Sequence, residues 1–244
     1  SSVKARSVLA MTKNVLVTGG NRGIGLEIVK GMLSKGYKVL MGCRDEESGL
    51  EAKKDTVGGD LHIIEMPLDN ETAIVDALVR TEAVYGPIDI LINNAGVLDD
   101  TPWDEVNAET LAKSMQVNVN APLTLIQQTL PQMIDRGFGR IINVSSSYGS
   151  FAEGLKGPLS YAMSKAALNA LTVKMAAVVD EASDSGSLNV KVNSMTPGWV
   201  HTRMGGSDAP KTPKEGADTA IWLATIEEGG PHGQFLKDRE PIDW

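Results

Sequence analysis

The sequence predicts a single α/β domain with a doubly wound, seven-stranded and mostly parallel sheet that helices flank on both faces. Three observations support this prediction. Short apolar runs alternate with amphipathic stretches along the chain, a pattern typical of parallel strands joined by right-handed helical crossovers. A glycine-rich turn follows the first apolar run and opens the first helical stretch. No linker rich in proline, glycine or serine divides the 244 residues, and no internal repeat is visible.

The predicted strands are seven short runs rich in Val, Ile and Leu, and amphipathic helical stretches separate them. The carboxyl ends of parallel strands form the ligand-binding edge of such a sheet, so we expect the functional residues there. The strands cover residues 15–18, 38–43, 61–66, 88–93, 140–145, 189–194 and 234–236. The helices cover residues 24–35, 46–54, 71–85, 108–134, 161–180 and 214–225.

Composition and charge exclude several classes of function. The net charge is −8 and no basic stripe occurs, so we expect neither a nucleic acid nor an anionic membrane surface as partner. No apolar run approaches the roughly 20 residues that span a bilayer. The single cysteine, Cys43, allows no internal disulfide and indicates a reducing, cytoplasmic compartment. We interpret residues 1–10 as a flexible leader and residues 11–244 as the domain.

The turn after the first strand reads Thr18-Gly-Gly-Asn-Arg-Gly-Ile-Gly25. Glycine adopts backbone angles that other residues avoid, and it lets a ligand approach the backbone closely. The helix that follows offers free N–H groups and the positive end of its dipole to an anion. Strand, turn and helix in this order predict a Rossmann-type dinucleotide site. The predicted cofactor contacts here are Gly19, Asn21, Arg22, Gly23, Ile24 and Gly25.

The end of the second strand indicates which dinucleotide binds. An NAD site carries an acidic residue near this point for the adenosine ribose. Here the chain reads Cys43-Arg44, and a guanidinium suits a 2′-phosphate. Arg22 in the glycine turn adds a second cation. The pair favours NADP(H) over NAD(H); the alternative is two solvated surface arginines.

Polar and small residues follow the third and fourth strands. Asp69 either accepts a hydrogen bond from the adenine amino group or is the N-cap or a first-turn residue of the helix that follows, and the two interpretations are close to equal. The fourth strand ends in Asn93-Asn94-Ala95-Gly96. Small residues there let a cofactor approach the backbone, although an ordinary turn has the same composition. Asn94, Ala95 and Gly96 are therefore candidate cofactor residues.

Tyr161 and Lys165 are the candidate proton donor and its partner. Their spacing of four places them on one helix face, one turn apart. A nearby ammonium together with an oxidised nicotinamide favours the phenolate, and lowering the tyrosine pKa by ~3 units needs roughly 4 kcal/mol. Taken alone, the pair is better interpreted as a common accident, with one packed aromatic and one solvated lysine on a helix face.

Two further residue types strengthen this interpretation. Ser145-Ser146-Ser147 ends the fifth strand, where a hydroxyl can donate to a substrate carbonyl, although serines also form ordinary turns. Asn118 lies inside a long helical stretch, where asparagine is a mediocre helix former. Its side chain is predicted to hold a water that connects to Lys165; a local cap or kink is the alternative.

These motifs together resemble those of the short-chain dehydrogenase/reductase family, in the family's order and over residues 12–244. Pro197-Gly198-Trp199-Val200-His201-Thr202, the stretch Gly230-Pro-His-Gly-Gln-Phe235 and Trp244 are similar to carbonyl reductases. The resemblance implies that Tyr161 is the general acid, that Lys165 modulates its pKa and binds the ribose hydroxyls, and that Asn118 is a relay. It assigns the catalytic serine to Ser146, the second of the pair. It also implies cofactor contacts at Pro197 and Gly198, and a nicotinamide carboxamide held by the Val200 backbone and Thr202.

The implied reaction is NADPH-dependent reduction of a ketone or aldehyde. Ser147, Tyr148, Phe151 and Trp199 are predicted to line the substrate pocket. The insertion that some monomeric carbonyl reductases carry before the tyrosine is absent, so the resemblance implies a homodimer or homotetramer. A dedicated 3-oxoacyl, steroid or polyol oxidoreductase is one alternative, and a non-catalytic NADPH-binding redox sensor is another.

Other chemistries find little support in the sequence. The three histidines, His62, His201 and His232, do not have metal-ligand spacing, so no metal site is predicted. No Gly-x-Ser-x-Gly elbow occurs, which argues against a serine hydrolase.

Overall fold

The structure is a computed structural model that describes residues 12–184 and 188–244, so the leader predicted for residues 1–10 lies outside the described residues. Strands and helices alternate as the sequence predicts. The strands are β1 (Asn14–Val17), β2 (Lys38–Cys43), β3 (Asp60–Glu65), β4 (Ile90–Asn93), β5 (Phe138–Val144), β6 (Asn189–Met195), β7 (Phe235–Lys237) and β8 (Glu240–Ile242). The helices are α1 (Gly23–Ser34), α2 (Glu46–Lys53), α3 (Glu71–Tyr85), α4 (Ala108–Met115), α5 (Ala121–Arg136), α6 (Leu159–Ala182) and α7 (Pro213–Ala224).

The sheet has the strand order β3-β2-β1-β4-β5-β6-β7-β8. Strands β1 to β7 are parallel, and only β8 pairs antiparallel, with β7. The order reverses between β1 and β4, so the ends of these two strands form the crevice where such sheets bind ligands. The doubly wound α/β prediction is confirmed.

The predicted number of seven strands is one too few. The additional strand β8 has three residues, includes Pro241, and pairs only at the sheet edge, where proline is tolerated. The hairpin that precedes it places Asp238 and Arg239 at φ values of +49° and +64°. Such turns usually carry glycine or asparagine, so the sequence lacked the usual hairpin signal.

Two apolar cores lie on opposite faces of the sheet. Side chains alternate along each strand: Val15 and Val17 of β1 face α1 and α7, whereas Leu16 faces α3 and α5. The same alternation recurs in β2, β4 and β5, as expected for parallel strands covered on both faces.

The prediction of a single long helix over residues 108–134 is wrong. The chain there forms α4, a π-helical segment at Gln116–Asn120 and then α5. Pro122 explains the interruption, because it has no N–H to donate to the carbonyl of Asn118 four residues earlier. A π-segment of this kind is frequent at functional sites.

Helix α6 is long and apolar enough to cross a membrane by length and composition, the one such helix in the described part of the chain. It contains Lys165 and packs against β5, β6 and the π-segment. Its sheet-facing residues, among them Leu168 and Thr172, are buried in the protein. We therefore interpret α6 as a core helix.

Candidate active site

The glycine turn has a shape that only glycine permits at two positions. Gly19 and Gly23 have φ values of +60° and +53°, in the left-handed region. A Cβ on Gly25 would lie 2.1 Å from the Gly19 carbonyl oxygen, so the turn closes directly on the start of α1. Arg22 is the N-cap residue and makes no side-chain capping bond. The first N–H groups of α1 are therefore left without a side-chain cap.

Thr18 and Asn94 join this turn to the end of β4. The Thr18 hydroxyl accepts hydrogen bonds from the backbone N–H of Asn94 at 3.1 Å and of Ala95 at 3.0 Å. The Asn94 side chain donates to the Thr18 and Gly19 carbonyls at 3.1 and 3.2 Å. Asn94 thus braces the turn through its side chain. Thr18, which the sequence prediction did not include as a site residue, is the second half of the same brace.

The two arginines proposed for cofactor choice are placed at the crevice edge. Arg22 precedes α1, Arg44 directly follows β2, and both are solvent-exposed. Neither forms a side-chain hydrogen bond or an ion pair with any of the residues that the structure describes.

Asp69 is also exposed and does not cap α3; that cap is Asn70, which accepts from the Ala73 N–H at 2.8 Å. The capping alternative for Asp69 is therefore wrong.

Cys43 is packed as a small core residue. It is 3% exposed, and a Cβ on Gly49 would lie 2.7 Å from its sulfur. Burial raises the pKa of the Cys43 thiol to about 11, with a smaller contribution from Asp45. The thiol is therefore neutral and unreactive at physiological pH.

The 197–205 loop, which follows β6, covers the glycine turn. Gly198 has a φ of +78°, and Lys211 donates to the Pro197 carbonyl at 3.3 Å. Val200 is buried against Gly216, where a Cβ would lie 2.7 Å from its methyl group. Two further predicted cofactor residues are half-buried here, namely Asn21 in the turn and Ile24 in α1.

Thr202 connects this loop to the glycine turn. Its methyl group lies 3.5 Å from the position of a Cβ on Gly23, and its hydroxyl accepts from the Gly205 N–H at 3.0 Å. The structure thus brings Thr202 and Val200 to the turn that is predicted to hold the cofactor phosphates.

Tyr161 and Lys165 lie one turn apart in α6 and are both buried, with exposures of 7% and 4%. The Lys165 ammonium lies 5.6 Å from the centre of the Tyr161 ring and donates to the Val144 carbonyl at 2.9 Å. Burial lowers the pKa of Lys165 to about 8, because the protein interior disfavours the charged form.

The expected direction of the Tyr161 pKa shift is not found in the structure. Burial raises the pKa of this phenol above its ordinary value, and the neighbouring Ser146 hydroxyl lowers it to a smaller extent. Tyr148, whose ring packs edge-on at 6.3 Å, adds to the increase. Desolvation outweighs the other contributions here, so Tyr161 is a protonated phenol at neutral pH.

The three serines after β5 have different environments. Ser145 is buried, and its hydroxyl faces the Lys165 carbonyl at 3.4 Å. Ser146 is partly exposed beside Tyr161, and its hydroxyl accepts from the Tyr148 N–H at 3.1 Å. Ser147 begins a short 3₁₀ turn and is partly exposed. Ser146 is therefore the serine whose hydroxyl the structure brings to Tyr161.

Asn118 joins three segments through its side chain. Its Oδ1 accepts from the Val97 N–H at 2.8 Å, and its Nδ2 donates to the Val97 carbonyl and the Ser164 hydroxyl, each at 2.9 Å. Ser164 in turn donates to the Tyr161 carbonyl at 2.8 Å. The side chain is thus bonded mainly to protein, which is more than the water-holding role predicted from sequence.

Gly96 separates Asn118 from Lys165. A Cβ on Gly96 would lie 3.3 Å from Asn118 Oδ1 and 3.4 Å from Lys165 Nζ. The asparagine oxygen and the ammonium therefore face the same small space beside Gly96, three residues after the end of β4.

The predicted substrate wall is only partly assembled. Tyr148 packs against Tyr161, and Trp199 donates from its indole to the Gly205 carbonyl at 2.8 Å. Phe151 is 72% exposed, and no aromatic contact joins it to the other residues of the site among those described. Met204 was missed: its sulfur lies 3.9 Å from the Tyr161 hydroxyl and accepts its hydrogen bond. Its position in a loop of small residues gave no signal of this contact.

The fold and the site together define a class of oxidoreductase. A family model described as short chain dehydrogenase matches residues 13–213. The chain belongs to the short-chain dehydrogenase/reductase family and is an oxidoreductase of that family.

Individual relatives differ in the substrates that their names give. The chain is 30% identical to carbonyl reductase [NADPH] 1 of Rattus norvegicus, covering 94% of this chain and 97% of the relative. It is 31% identical to an acetoacetyl-CoA reductase of Rhizobium meliloti, over 80% of this chain and 76% of the relative. An NADPH-bound carbonyl reductase from chicken fatty liver superposes with a TM-score of 0.81 at 29% identity, covering 96% of this chain and 99% of that one.

Proposed function

We propose that this protein binds NADPH and reduces a ketone or aldehyde to an alcohol. One observation carries the proposal: a buried Tyr161 and Lys165 lie together with Ser146 beyond β5, and Gly96 brings the cofactor-side loop against the Lys165 ammonium. The comparison with NADPH-dependent carbonyl reductases over nearly the whole chain supports it.

The residues around the glycine turn fit a dinucleotide phosphate. Any side chain at Gly25 would fill the turn, and the first N–H groups of α1 carry no side-chain cap. A pyrophosphate fits such a backbone cradle. Arg22 and Arg44 stand exposed at its edge, where a guanidinium can bind a 2′-phosphate through several donors.

Bound NADPH would supply the hydride, and the chain's own residues would handle the proton. Tyr161 is poised for reduction because burial raises its pKa, so that its hydroxyl carries a proton to donate to the substrate oxygen. The Ser146 hydroxyl would donate a second hydrogen bond to the same oxygen as charge develops. Lys165, with a pKa of about 8, would remain largely charged at neutral pH and stabilise the phenolate that forms.

Proton return to Tyr161 would follow the space beside Gly96. Asn118 Oδ1 and Lys165 Nζ both face that space. Pro122 also leaves the Asn118 carbonyl without its α-helical donor. Asn118 would therefore act as a relay between Lys165 and the solvent.

Tyr161→Phe tests the proposal. We expect it to lower kcat by ~10²–10⁴, the usual contribution of a general acid, while NADPH still binds. Tyr148→Phe is the matched control, because it removes a hydroxyl from the neighbouring ring and should cost less than tenfold. The assay follows NADPH oxidation with a panel of aldehydes, ketones and diketones. Retained turnover in Tyr161→Phe contradicts the assigned role.

Arg44→Asp tests the cofactor. It should weaken NADPH binding at least tenfold and leave NADH binding nearly unchanged, because only NADPH carries the 2′-phosphate. Arg80→Asp, on the exposed face of α3, changes the net charge equally and should not alter either affinity. Fluorescence titration measures both. Equal losses for the two cofactors would remove Arg44 from the 2′-phosphate site.

A dedicated reductase of 3-oxoacyl thioesters is the second candidate, because an acetoacetyl-CoA reductase matches 80% of the chain. The substrate panel separates the two candidates when acetoacetyl-CoA is added to it. A kcat/KM for the thioester that exceeds every free carbonyl by a hundredfold favours the dedicated enzyme. No turnover of any carbonyl would favour an NADPH-binding redox sensor.

We also propose that the chain forms a homodimer or homotetramer through the outer faces of α5 and α6. A groove of about 400 Å³ between these helices is lined by Ile126, Leu130, Pro131, Ile134, Met175 and Val178, with Gln127 and Asp135 at its polar edge. Exposed apolar side chains continue along α6 at Val173 and Met163. Sedimentation velocity at micromolar concentration should give a mass of two or four chains, and a monomer would refute the proposal.

A further inference from the structure

Met204 brings an oxidisable sulfur to the hydroxyl that is proposed to donate the proton. The thioether accepts a hydrogen bond from Tyr161 at 3.9 Å, and the residue is 48% exposed. The loop holds it in place from both sides: Trp199 donates to the Gly205 carbonyl at 2.8 Å, and the Gly205 N–H donates to Thr202 at 3.0 Å. The contact therefore belongs to a braced loop, while about half of the Met204 residue remains open to solvent.

We propose that Met204 is a modification site at which peroxide switches off the reductase; the consequence for activity rests on the proposed role of Tyr161. The sulfur lone pair attacks one peroxide oxygen, and the O–O bond breaks. That oxygen stays on the sulfur with its hydrogen, and the other leaves as hydroxide. The hydroxide then takes the S–OH proton, which gives the sulfoxide and water. The thioether is oxidised by two electrons and the peroxide is reduced by two. Methionine sulfoxide reductases reverse the change with electrons from a dithiol.

Oxidation changes which partner the Tyr161 hydroxyl prefers. A thioether is a weak acceptor, so a substrate carbonyl displaces it readily. A sulfoxide oxygen is strongly polar, and it extends from the sulfur toward a hydroxyl that is already 3.9 Å away. The modified side chain then competes with the substrate for the same proton, and it makes an apolar part of the pocket polar. We expect KM to rise more than kcat falls.

Other targets of peroxide in the described residues are less well placed to affect Tyr161. Cys43 is buried, and its thiol is neutral. Met163 is as exposed as Met204, at 45%, but has no hydrogen bond to the site. Met32, Met41, Met66, Met133 and Met195 are buried in the core.

The test compares peroxide sensitivity across four proteins. Each is treated with millimolar hydrogen peroxide, and kcat/KM for a neutral ketone is compared with its own untreated value. The wild-type chain should lose at least tenfold, and Met204→Leu should lose less than twofold. Met163→Leu and Cys43→Ala should lose as much as the wild type. Peptide mass mapping should place one added oxygen on Met204, and sulfoxide reductases A and B with dithiothreitol should restore activity.

A second variant and a second measurement keep the outcome decisive. Met204→Gln places a polar acceptor at the same position and should raise KM at least fivefold without peroxide. The difference between the ultraviolet titration curves of the wild type and Tyr161→Phe reports the ionisation of Tyr161 directly. Oxidation of Met204 should shift this ionisation to higher pH. This titration does not depend on turnover. If no untreated protein turns over a carbonyl, the proposed reaction fails, but the shift in the Tyr161 titration still tests the modification site. Equal inactivation of wild type and Met204→Leu overturns the proposal. A sulfoxide at Met204 that changes neither kcat/KM nor the Tyr161 titration also overturns it.

Discussion

Replacing Lys165 by methionine gives a quantitative test of the burial that the site depends on. The substitution keeps the length of the side chain and removes its ionisable amine. It also leaves the Val144 carbonyl without its donor, at a cost that does not vary with pH. The informative quantity is therefore the pH dependence of the stability difference between the two proteins.

The expected magnitude follows from the depressed pKa of Lys165, about 8 in the fold against an ordinary 10.5. Between these values the unfolded chain binds more protons than the folded chain, so the free energy of unfolding rises with pH. Below about pH 7 both states carry the proton and the contribution is constant. Integrating from pH 7 to 9.5 gives the wild type a gain of about 2 kcal/mol over Lys165→Met.

Urea unfolding followed by tryptophan fluorescence at pH 7, 8, 9 and 9.5 measures this gain. Lys174→Met is the control, because that lysine lies on the same helix and is exposed; its stability should follow the wild type at every pH. Tyr161 contributes little to the difference, because burial raises its pKa in the fold and it stays protonated over this pH range. A difference between wild type and Lys165→Met that stays constant within 0.5 kcal/mol, by the usual accuracy of such comparisons, would refute a buried charge.

Two further predictions concern the glycine turn and the choice between Ser145 and Ser146 as the catalytic serine. Gly25→Ala places a Cβ 2.1 Å from a backbone oxygen, so we expect it to cost roughly 1–3 kcal/mol and to weaken NADPH binding at least tenfold. Gly229→Ala, where a Cβ meets nothing within 4 Å, should do neither, as thermal unfolding and fluorescence titration can check. Ser146→Ala should lower kcat at least a hundredfold by loss of an oxyanion donor, whereas Ser145→Ala should lose less than threefold. A larger loss at position 145 would reassign the serine.

Much of the architecture could be predicted because each layer of the fold requires a recognisable pattern of apolar residues in the sequence. The parallel strands are buried on both faces and read as apolar runs, and the helices between them show amphipathic spacing. The glycine turn was visible because only glycine fits its backbone angles. These signals come from local chemistry, which a single sequence contains.

What the sequence could not predict depends on contacts between distant segments. The helical pattern continues through Asn118, so the interruption there could be predicted only from the effect of Pro122 on the hydrogen bonds of the preceding turn. The raised pKa of Tyr161 depends on how much protein surrounds the ring, which spacing along a helix does not report. Met204 reaches Tyr161 only because the chain after β6 folds back across the site.

That return of the chain joins the two halves of the site through one loop. Thr202 lies against Gly23 of the glycine turn, and Met204, two residues later, contacts the Tyr161 hydroxyl. The Gly205 N–H donates to the Thr202 hydroxyl and so connects the two contacts within the loop. We therefore expect a ligand that moves Thr202 to shift Met204 as well. Cofactor binding at the turn is accordingly expected to weaken the bond from the Tyr161 hydroxyl to the thioether, so that a substrate carbonyl replaces the sulfur more readily once NADPH is in place.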